Sequence, residues 1–263
     1  MLFILGLFIG SFLNVLIDRL PRDESVIKGR SYCDKCKKTL KWYDLIPVLS
    51  FLILGGKCRY CHSPISLYYP IVEIITGTMF VLTFIYVYRL QTTDYSLFDN
   101  LTFQHFSNSV IALFYYLLII SSLIVVFFAD LKYGIIPDKI IFPAMVISFL
   151  YLILNTKYLI PNLFSGAGVF VFFLGLYLIT KGKGMGFGDV KLVFLLGLFL
   201  GFPKIIPAFY ISFLTGAFVG LILILLKKKK LFSGATIPFA PFLVLGTFIS
   251  LFFGESIVRL FIY

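Results

Sequence analysis

Eight apolar stretches, most of them near the length of a bilayer-crossing helix, dominate this chain. They run from Leu2 to Ile17, Leu67 to Tyr88, Val110 to Ala129, Ile140 to Leu154, Leu159 to Thr180, Leu192 to Gly201, Ile205 to Leu226 and Ile237 to Ile262. A helix needs roughly 20 apolar residues to cross the hydrocarbon core. The runs are continuous rather than alternating, which argues against a β-barrel. Composition agrees: 60% of the 263 residues are hydrophobic and 13% charged, against about 45–50% and about 25% in soluble domains. A water-soluble globule of this size could not hide so much apolar surface. The same excess, with only 4 Cys, excludes disorder and a disulfide scaffold. The expected architecture is an all-α polytopic membrane protein of eight transmembrane helices, with a cytoplasmic loop inserted between the first two. The first and fourth stretches are short. The sixth is too short for a full span and meets the seventh at Gly201-Phe202-Pro203, where a thinned-membrane geometry is expected.

The expected divisions are residues 1–17 as the first transmembrane helix, 18–66 as a cytoplasmic loop, 67–109 as the second helix with an outer loop, and 110–263 as a six-helix core. Residues 1–17 lack the basic start and small-residue cleavage site of a signal peptide, so they read as a retained anchor with the N-terminus outside. With eight crossings from that start, nineteen of the 23 Lys and Arg fall inside, including Lys227 to Lys230. Only Arg89, Lys157, Lys204 and Arg259 fall outside. The positive-inside rule therefore explains the net charge of +11 without any nucleic-acid partner. The outer loop, Gln91 to Ser109, holds His105, which reads as a solvated loop histidine.

All four cysteines lie in the first inside loop, as Cys33-x2-Cys36 and Cys58-x2-Cys61. Two such pairs supply the four thiolates of a tetrahedral zinc site. A reducing compartment disfavours structural disulfides, and redox-active pairs are the main competing reading. Cys58-Arg59-Tyr60-Cys61-His62 also matches a c-type haem attachment pattern. The second pair and the inside location count against it, and four thiolates leave His62 without a place in the shell. The apolar segment Leu45 to Gly56 between the pairs is too short to span and is expected to lie in or dip into the membrane interface.

Acidic residues at membrane depth are costly and read as functional. Asp130 ends the third stretch and Asp189 precedes the sixth, so parity puts both carboxylates at the inner edge of the membrane. Two carboxylates sharing a site cannot readily both ionise, which suits general acid and base work on a peptide bond. Ion or proton transport stands beside that reading, and so does a plain interfacial position. Gly182, Gly184, Gly186 and Gly188 alternate before Asp189, where positive φ, close approach and unwound backbone are expected. Asp138, after Pro137, is read as a cap of the fourth helix. Glu73 lies within the second stretch, four residues after Tyr69, either as a packed acid or as part of a second site.

These motifs together resemble the type IV prepilin peptidases, membrane aspartic proteases of pilus, type II secretion and DNA-uptake (competence) systems. The resemblance runs from Gly10 to Gly246. It rests on Gly10-Ser11-Phe12-Leu13-Asn14-Val15 with Arg19 and Pro21, both cysteine pairs, and Tyr69-Pro70 with Glu73 and Gly77. It continues through Asp130 with Ile136-Pro137-Asp138 and through Gly186-Phe187-Gly188-Asp189-Val190-Lys191. It ends in Ile237 to Phe242, where a glycine is more usual than Ala240. The resemblance implies that residues 110–263 form an aspartyl protease core with Asp130 and Asp189 catalytic, and with Gly186, Gly188 and Lys191 as the supporting loop. It implies a prepilin or pseudopilin substrate with a short basic leader, cut after a glycine at the cytoplasmic face. Members with the cysteine loop commonly also N-methylate the new terminus from S-adenosylmethionine. No glycine-rich dinucleotide fingerprint marks that donor's site, which stays unknown, with Glu73 and residues of the first loop as candidates. A transporter and a non-catalytic pilin scaffold are the competing functional classes. The near absence of charge in the middle of the last six stretches disfavours the first. Two acids at one depth are left unexplained by the second.

Overall fold

The computed structural model describes residues 1–26, 28–93, 103–182, 184–225 and 238–262. Its secondary structure is helical, with two isolated β-bridges in the cysteine loop. The chain divides into two compact units, residues 1–125 and 126–263.

In the first unit, α1 (Leu2–Arg19) packs against α3 (Tyr68–Thr93). Glycine sets their spacing. A Cβ added at Gly10 would lie 2.7 Å from the Glu73 Cα, and one at Gly6 would lie 2.6 Å from the Gly77 Cα. Apolar helices in lipid gain nothing from hydrophobic burial against one another, so close backbone approach through small residues supplies the packing. Between them the loop forms a 3-10 turn, Trp42–Leu45, and a five-residue helix α2 (Leu49–Ile53) that leaves Leu49, Leu52 and Ile53 exposed. α4 (Phe103–Tyr133) begins in this unit, and its last two turns belong to the second. The outer loop is shorter than the composition implied, because α3 runs on to Thr93 and α4 starts at Phe103. His105 therefore stands in a helix rather than in a loop, and its side chain lies outside the described residues.

The second unit is arranged around α7 (Phe187–Leu200), which packs against α5 (Asp138–Leu154), α6 (Thr156–Ile179), α8 (Ile205–Leu225) and α9 (Ala240–Ile262). Val190, Leu192, Val193, Leu195, Leu196, Leu198, Phe199 and Leu200 are all buried. Gly197 meets Gly166 of α6 so closely that a Cβ there would lie 2.5 Å from the Gly166 Cα.

Among the described residues, six helices are long and apolar enough to cross a membrane, which makes this a multi-pass membrane protein and leaves two of the expected eight stretches short of a full-length span. The six contain Leu2–Arg22, Tyr68–Arg89, Val110–Tyr133, Thr156–Ile179, Ile205–Leu223 and Ala240–Arg259. α5 and α7 are the exceptions, with 17 and 14 residues. At 1.5 Å per residue they reach only about 26 Å and about 21 Å, against roughly 30 Å of hydrocarbon. α7 tolerates this because protein, not lipid, surrounds it. Lys227 to Lys230 lie outside the described residues.

Candidate functional site

α4 carries Asp130 in its last turn. The helix stops at Gly134, whose φ of +66° is a left-handed end that glycine adopts without strain. The Gly134 N–H caps the Asp130 carbonyl at 2.8 Å. The Asp130 side chain is buried. Its carboxylate accepts the backbone N–H of Ala240, the first residue of α9. An unpaired N–H at a helix N-terminus is a natural anion donor.

Asp189 also stands at a helix start, in the first turn of α7. Its Oδ2 accepts the Gly186 N–H at 3.2 Å, while the Asp189 N–H donates to the Gly186 carbonyl at 3.1 Å. Asp189 is buried and feels the charge of Asp130. One oxygen of each acid, Asp130 Oδ2 and Asp189 Oδ1, is buried with no hydrogen-bond partner among the described residues. A buried polar atom left so costs about 1–3 kcal/mol. Such a pair is placed to hold a water or a polar substrate atom.

The alternating glycines do less than expected. Among the described ones, only Gly182 takes a positive φ, +72°. Gly188 is needed for closeness, because a Cβ there would stand 3.1 Å from Ile136 Cδ1. A methyl at Gly186 would meet Asp189 Oδ2 at an ordinary 3.6 Å. The backbone before Asp189 is non-helical only up to Gly186, so the aspartate lies inside the helix. Asp138 does not cap α5 through its side chain: Pro137 is the cap residue and no side-chain cap bond forms. Instead the Asp138 carboxylate pairs with Lys191 Nζ at 2.7 and 2.9 Å, and the ammonium stands over the Phe142 and Phe187 rings. A cation across the gap binds the carboxylate more strongly than the N–H groups of its own first turn.

The four cysteines come together in the first unit, with their sulfurs all within 4.8 Å of one another. Tetrahedral thiolates at about 2.3 Å from zinc lie about 3.8 Å apart, and Cys33 Sγ to Cys61 Sγ is 3.8 Å. The two hairpins share one backbone design. Lys37 N–H donates to the Cys33 carbonyl at 2.8 Å and His62 N–H to the Cys58 carbonyl at 2.9 Å, with Lys37 and His62 both left-handed. His62 is thus a turn residue and lies outside the cluster of four sulfurs. Four thiolates this close repel one another, so protons distribute unevenly among them. The Ser63 hydroxyl and N–H pull Cys61 down to about 6. The Lys38 N–H pulls Cys36 the same way, but burial and its neighbours Cys61 and Cys33 push it up to about 11. A divalent cation removes the repulsion. Beside the cluster, burial works to raise the Asp44 carboxyl, but the Arg59 guanidinium at 2.7 Å and the Lys41 N–H hold it below its usual range.

Glu73 is buried within α3. Its Oε2 accepts the Val48 N–H at 2.8 Å, and Ser11 of α1 also hydrogen-bonds to it. Val48 has φ +60° and ψ −49°, an unusual conformation for a β-branched residue that costs about 1–3 kcal/mol.

Two partners of the acids escape any local reading: the Ala240 N–H on Asp130 and the Lys191 ion pair of Asp138. The only sequence signal for the first is the Pro238-Phe239-Ala240-Pro241 motif, whose prolines mark a helix start.

Comparison with known proteins gives two family matches. Residues 4–87 match the Bacterial Peptidase A24 N-terminal domain, and residues 117–221 match the Type IV leader peptidase family. The prepilin leader peptidase/N-methyltransferase of Bacillus subtilis (strain 168) is 33% identical over 264 residues, covering 99% of this chain and 96% of the relative. The chain belongs to the type IV leader peptidase family. The Legionella pneumophila prepilin leader peptidase/N-methyltransferase is 33% identical over 100% of this chain and 94% of the relative. That of Aeromonas hydrophila is 31% identical over 98% and 92%. No solved structure matches the chain. Within the family frame, the N-terminal match covers most of α1, the cysteine loop and most of α3, whereas Asp130 and Asp189 both fall in the C-terminal match.

Proposed function

We propose that this leader peptidase family member is an intramembrane aspartic endopeptidase that removes the short basic leader of prepilins or pseudopilins and then N-methylates the new terminal residue. The carrying observation is the buried carboxylate pair, each member with an unpartnered oxygen. In this reading one of Asp130 and Asp189 is ionised and the other keeps its proton. The ionised acid takes a proton from water, and the resulting hydroxide attacks the scissile carbonyl carbon. The neutral acid gives its proton to the carbonyl oxygen. The tetrahedral adduct collapses when the hydroxyl proton returns to that acid and the C–N bond breaks. The first acid then protonates the leaving amine. The N–H groups of Ala240 and Gly186 orient the two carboxylates, and Lys191 fixes the start of α5 against α7 through Asp138.

The cysteine cluster is assigned as a structural zinc site, held by Cys33, Cys36, Cys58 and Cys61. Four protein ligands leave no open position, so its contribution is to staple a loop that has little core of its own. Exposed Trp42, Leu49, Leu52 and Ile53 fit contact with the lipid interface. With the short α5 and α7 counted as crossings beside the six long helices, the basic inside segments orient the chain with both termini outside and both acids at the cytoplasmic face, and leave no role for nucleic acid. S-adenosylmethionine, when bound, supplies an electrophilic methyl group.

The test is cleavage of a prepilin by the detergent-solubilised protein with added S-adenosylmethionine, read by mass spectrometry. A leader-sized loss plus one methyl group supports both activities. Cleavage without methylation reduces the reading to a protease alone, and no cleavage of several prepilins refutes it in favour of a transporter or scaffold.

A further inference from the structure

The first unit holds an open cavity of about 660 Å³, lined by α1, the start of α3 and the cysteine loop. That volume lies within the roughly 300–1,000 Å³ of small-molecule sites. Every residue lining the cavity lies in the first unit, whereas Asp130 and Asp189 belong to the second. The cavity's mostly apolar wall carries several polar side chains from helices that cross a membrane. Asn14 and Asp18 stand one turn apart on α1, and Tyr69 and Glu73 one turn apart on α3. Polar groups within membrane helices are costly and mark ligand paths.

Their hydrogen bonds leave a specific deficit. Asn14 Nδ2 donates to the Tyr69 carbonyl at 3.2 Å, but Asn14 Oδ1 is buried and has no partner among the described residues. The Tyr69 hydroxyl donates to Asp18 Oδ2 at 2.9 Å. The hydrogen bonds described for Glu73 come from neutral groups, the Val48 N–H and Ser11. Of the basic side chains that line the same cavity, which also include Lys35, three have described partners. Arg22 pairs with Asp34, Arg59 pairs with Asp44, and the Arg19 guanidinium is held by the Ser25 and Arg30 carbonyls. The wall thus offers the buried Glu73 carboxylate and an orphaned acceptor, Asn14 Oδ1, to whatever enters.

We propose that this cavity is the methyl-donor site, binding S-adenosylmethionine through Asn14, Asp18 and Glu73. The proposal rests on the N-methyltransferase reading above. The donor carries a sulfonium and an ammonium against a single carboxylate, so it needs an anionic wall. Its ribose hydroxyls and adenine amine offer the proton that Asn14 Oδ1 lacks. Phe12 and Phe51 on the cavity wall supply apolar faces for the adenine. The fit is a matter of charge as much as volume: a phospholipid headgroup phosphate would face the Glu73 carboxylate, which has no described basic partner.

Equilibrium dialysis of the full-length protein in detergent, with radiolabelled S-adenosylmethionine and S-adenosylhomocysteine, tests this. The two ligands differ by one methyl group and the sulfur's positive charge. Glu73→Gln keeps an acceptor for Val48 while removing the charge. It is expected to weaken S-adenosylmethionine by about tenfold and S-adenosylhomocysteine by less than about threefold. Asp18→Asn, which keeps an acceptor for Tyr69, should move the same way and serves if Glu73→Gln fails to fold. Unchanged zinc content and thermal midpoint report that a variant is intact. Equal loss of both ligands would indicate a merely structural role and overturn the proposal. So would wild-type binding in both variants alongside normal methylation by the wild-type chain, which would leave the methyltransferase reading standing with its site elsewhere. A wild-type chain that neither binds the donor nor adds a methyl group would instead sink that reading and this site with it.

Discussion

Gly10→Ala isolates what holds the first unit together. The added Cβ would stand 2.7 Å from the Glu73 Cα and 3.1 Å from both Thr76 Cβ and Oγ1. A backbone atom cannot rotate away, so α1 and α3 must separate or shift. Forcing an extra carbon into a packed interface costs typically about 1–3 kcal/mol. Alanine also gains about 0.8–1.0 kcal/mol over glycine in a helix, which partly masks the loss. Gly168→Ala supplies the control. It lies in α6, exposed, with nothing within 4 Å of an added Cβ. The two variants share the propensity gain and differ in packing. Gly10→Ala should therefore be about 1–3 kcal/mol less stable than Gly168→Ala, measured as reversible denaturant unfolding in mixed micelles. Equal stability of the two would refute the close-approach account of α1 and α3.

Three further outcomes follow from the loop and the second unit. Wild-type protein should carry about one zinc per chain, and Cys58→Ser, at the buried ligand, should lose most of it and lower the thermal midpoint by elemental analysis and melting. His62→Ala should keep the metal, since His62 only turns the chain; loss of zinc there would make it a ligand. Asp44 is held below its usual range, so its pairing with Arg59 contributes fully above the ordinary carboxylate value of about 3.9 and is lost as pH falls through the lowered one. Asp44→Asn should therefore flatten the acid limb of a stability–pH profile, and an unchanged limb would deny the pair that role. Lys191→Met removes an ion pair whose acid is 53% exposed, so it should change stability by no more than about 1 kcal/mol; a larger loss would mean that the lysine holds more than Asp138.

How much of this was legible beforehand depends on how local each signal is. The apolar runs, the cysteine pairs and the two aspartates each sit within a few residues of the features that mark them. The helix limits were less so. α7 starts at Phe187, five residues before its apolar run, because Asp189 and Lys191 are polar yet stand in its first turns beside protein. Its short length reads as a poor span until its four helix neighbours are seen. The Asp138–Lys191 pair joins positions 53 apart, and the Val48–Glu73 bond positions 25 apart. Periodicity carries no trace of either. The glycines show the same divide: Gly10 is visible as a residue, but what its missing Cβ makes room for is known only from the packed helices.

The central claim is that Asp130 and Asp189 together cut the leader peptide. The most direct measurement is prepilin cleavage by purified Asp130→Asn and Asp189→Asn, each checked for zinc content and thermal midpoint. Asparagine keeps the size and the acceptors for the Ala240 and Gly186 N–H groups while removing the ionisable group. The account predicts intact, metal-loaded protein with no leader released in either case. Leader removal at the wild-type rate by either variant would contradict it.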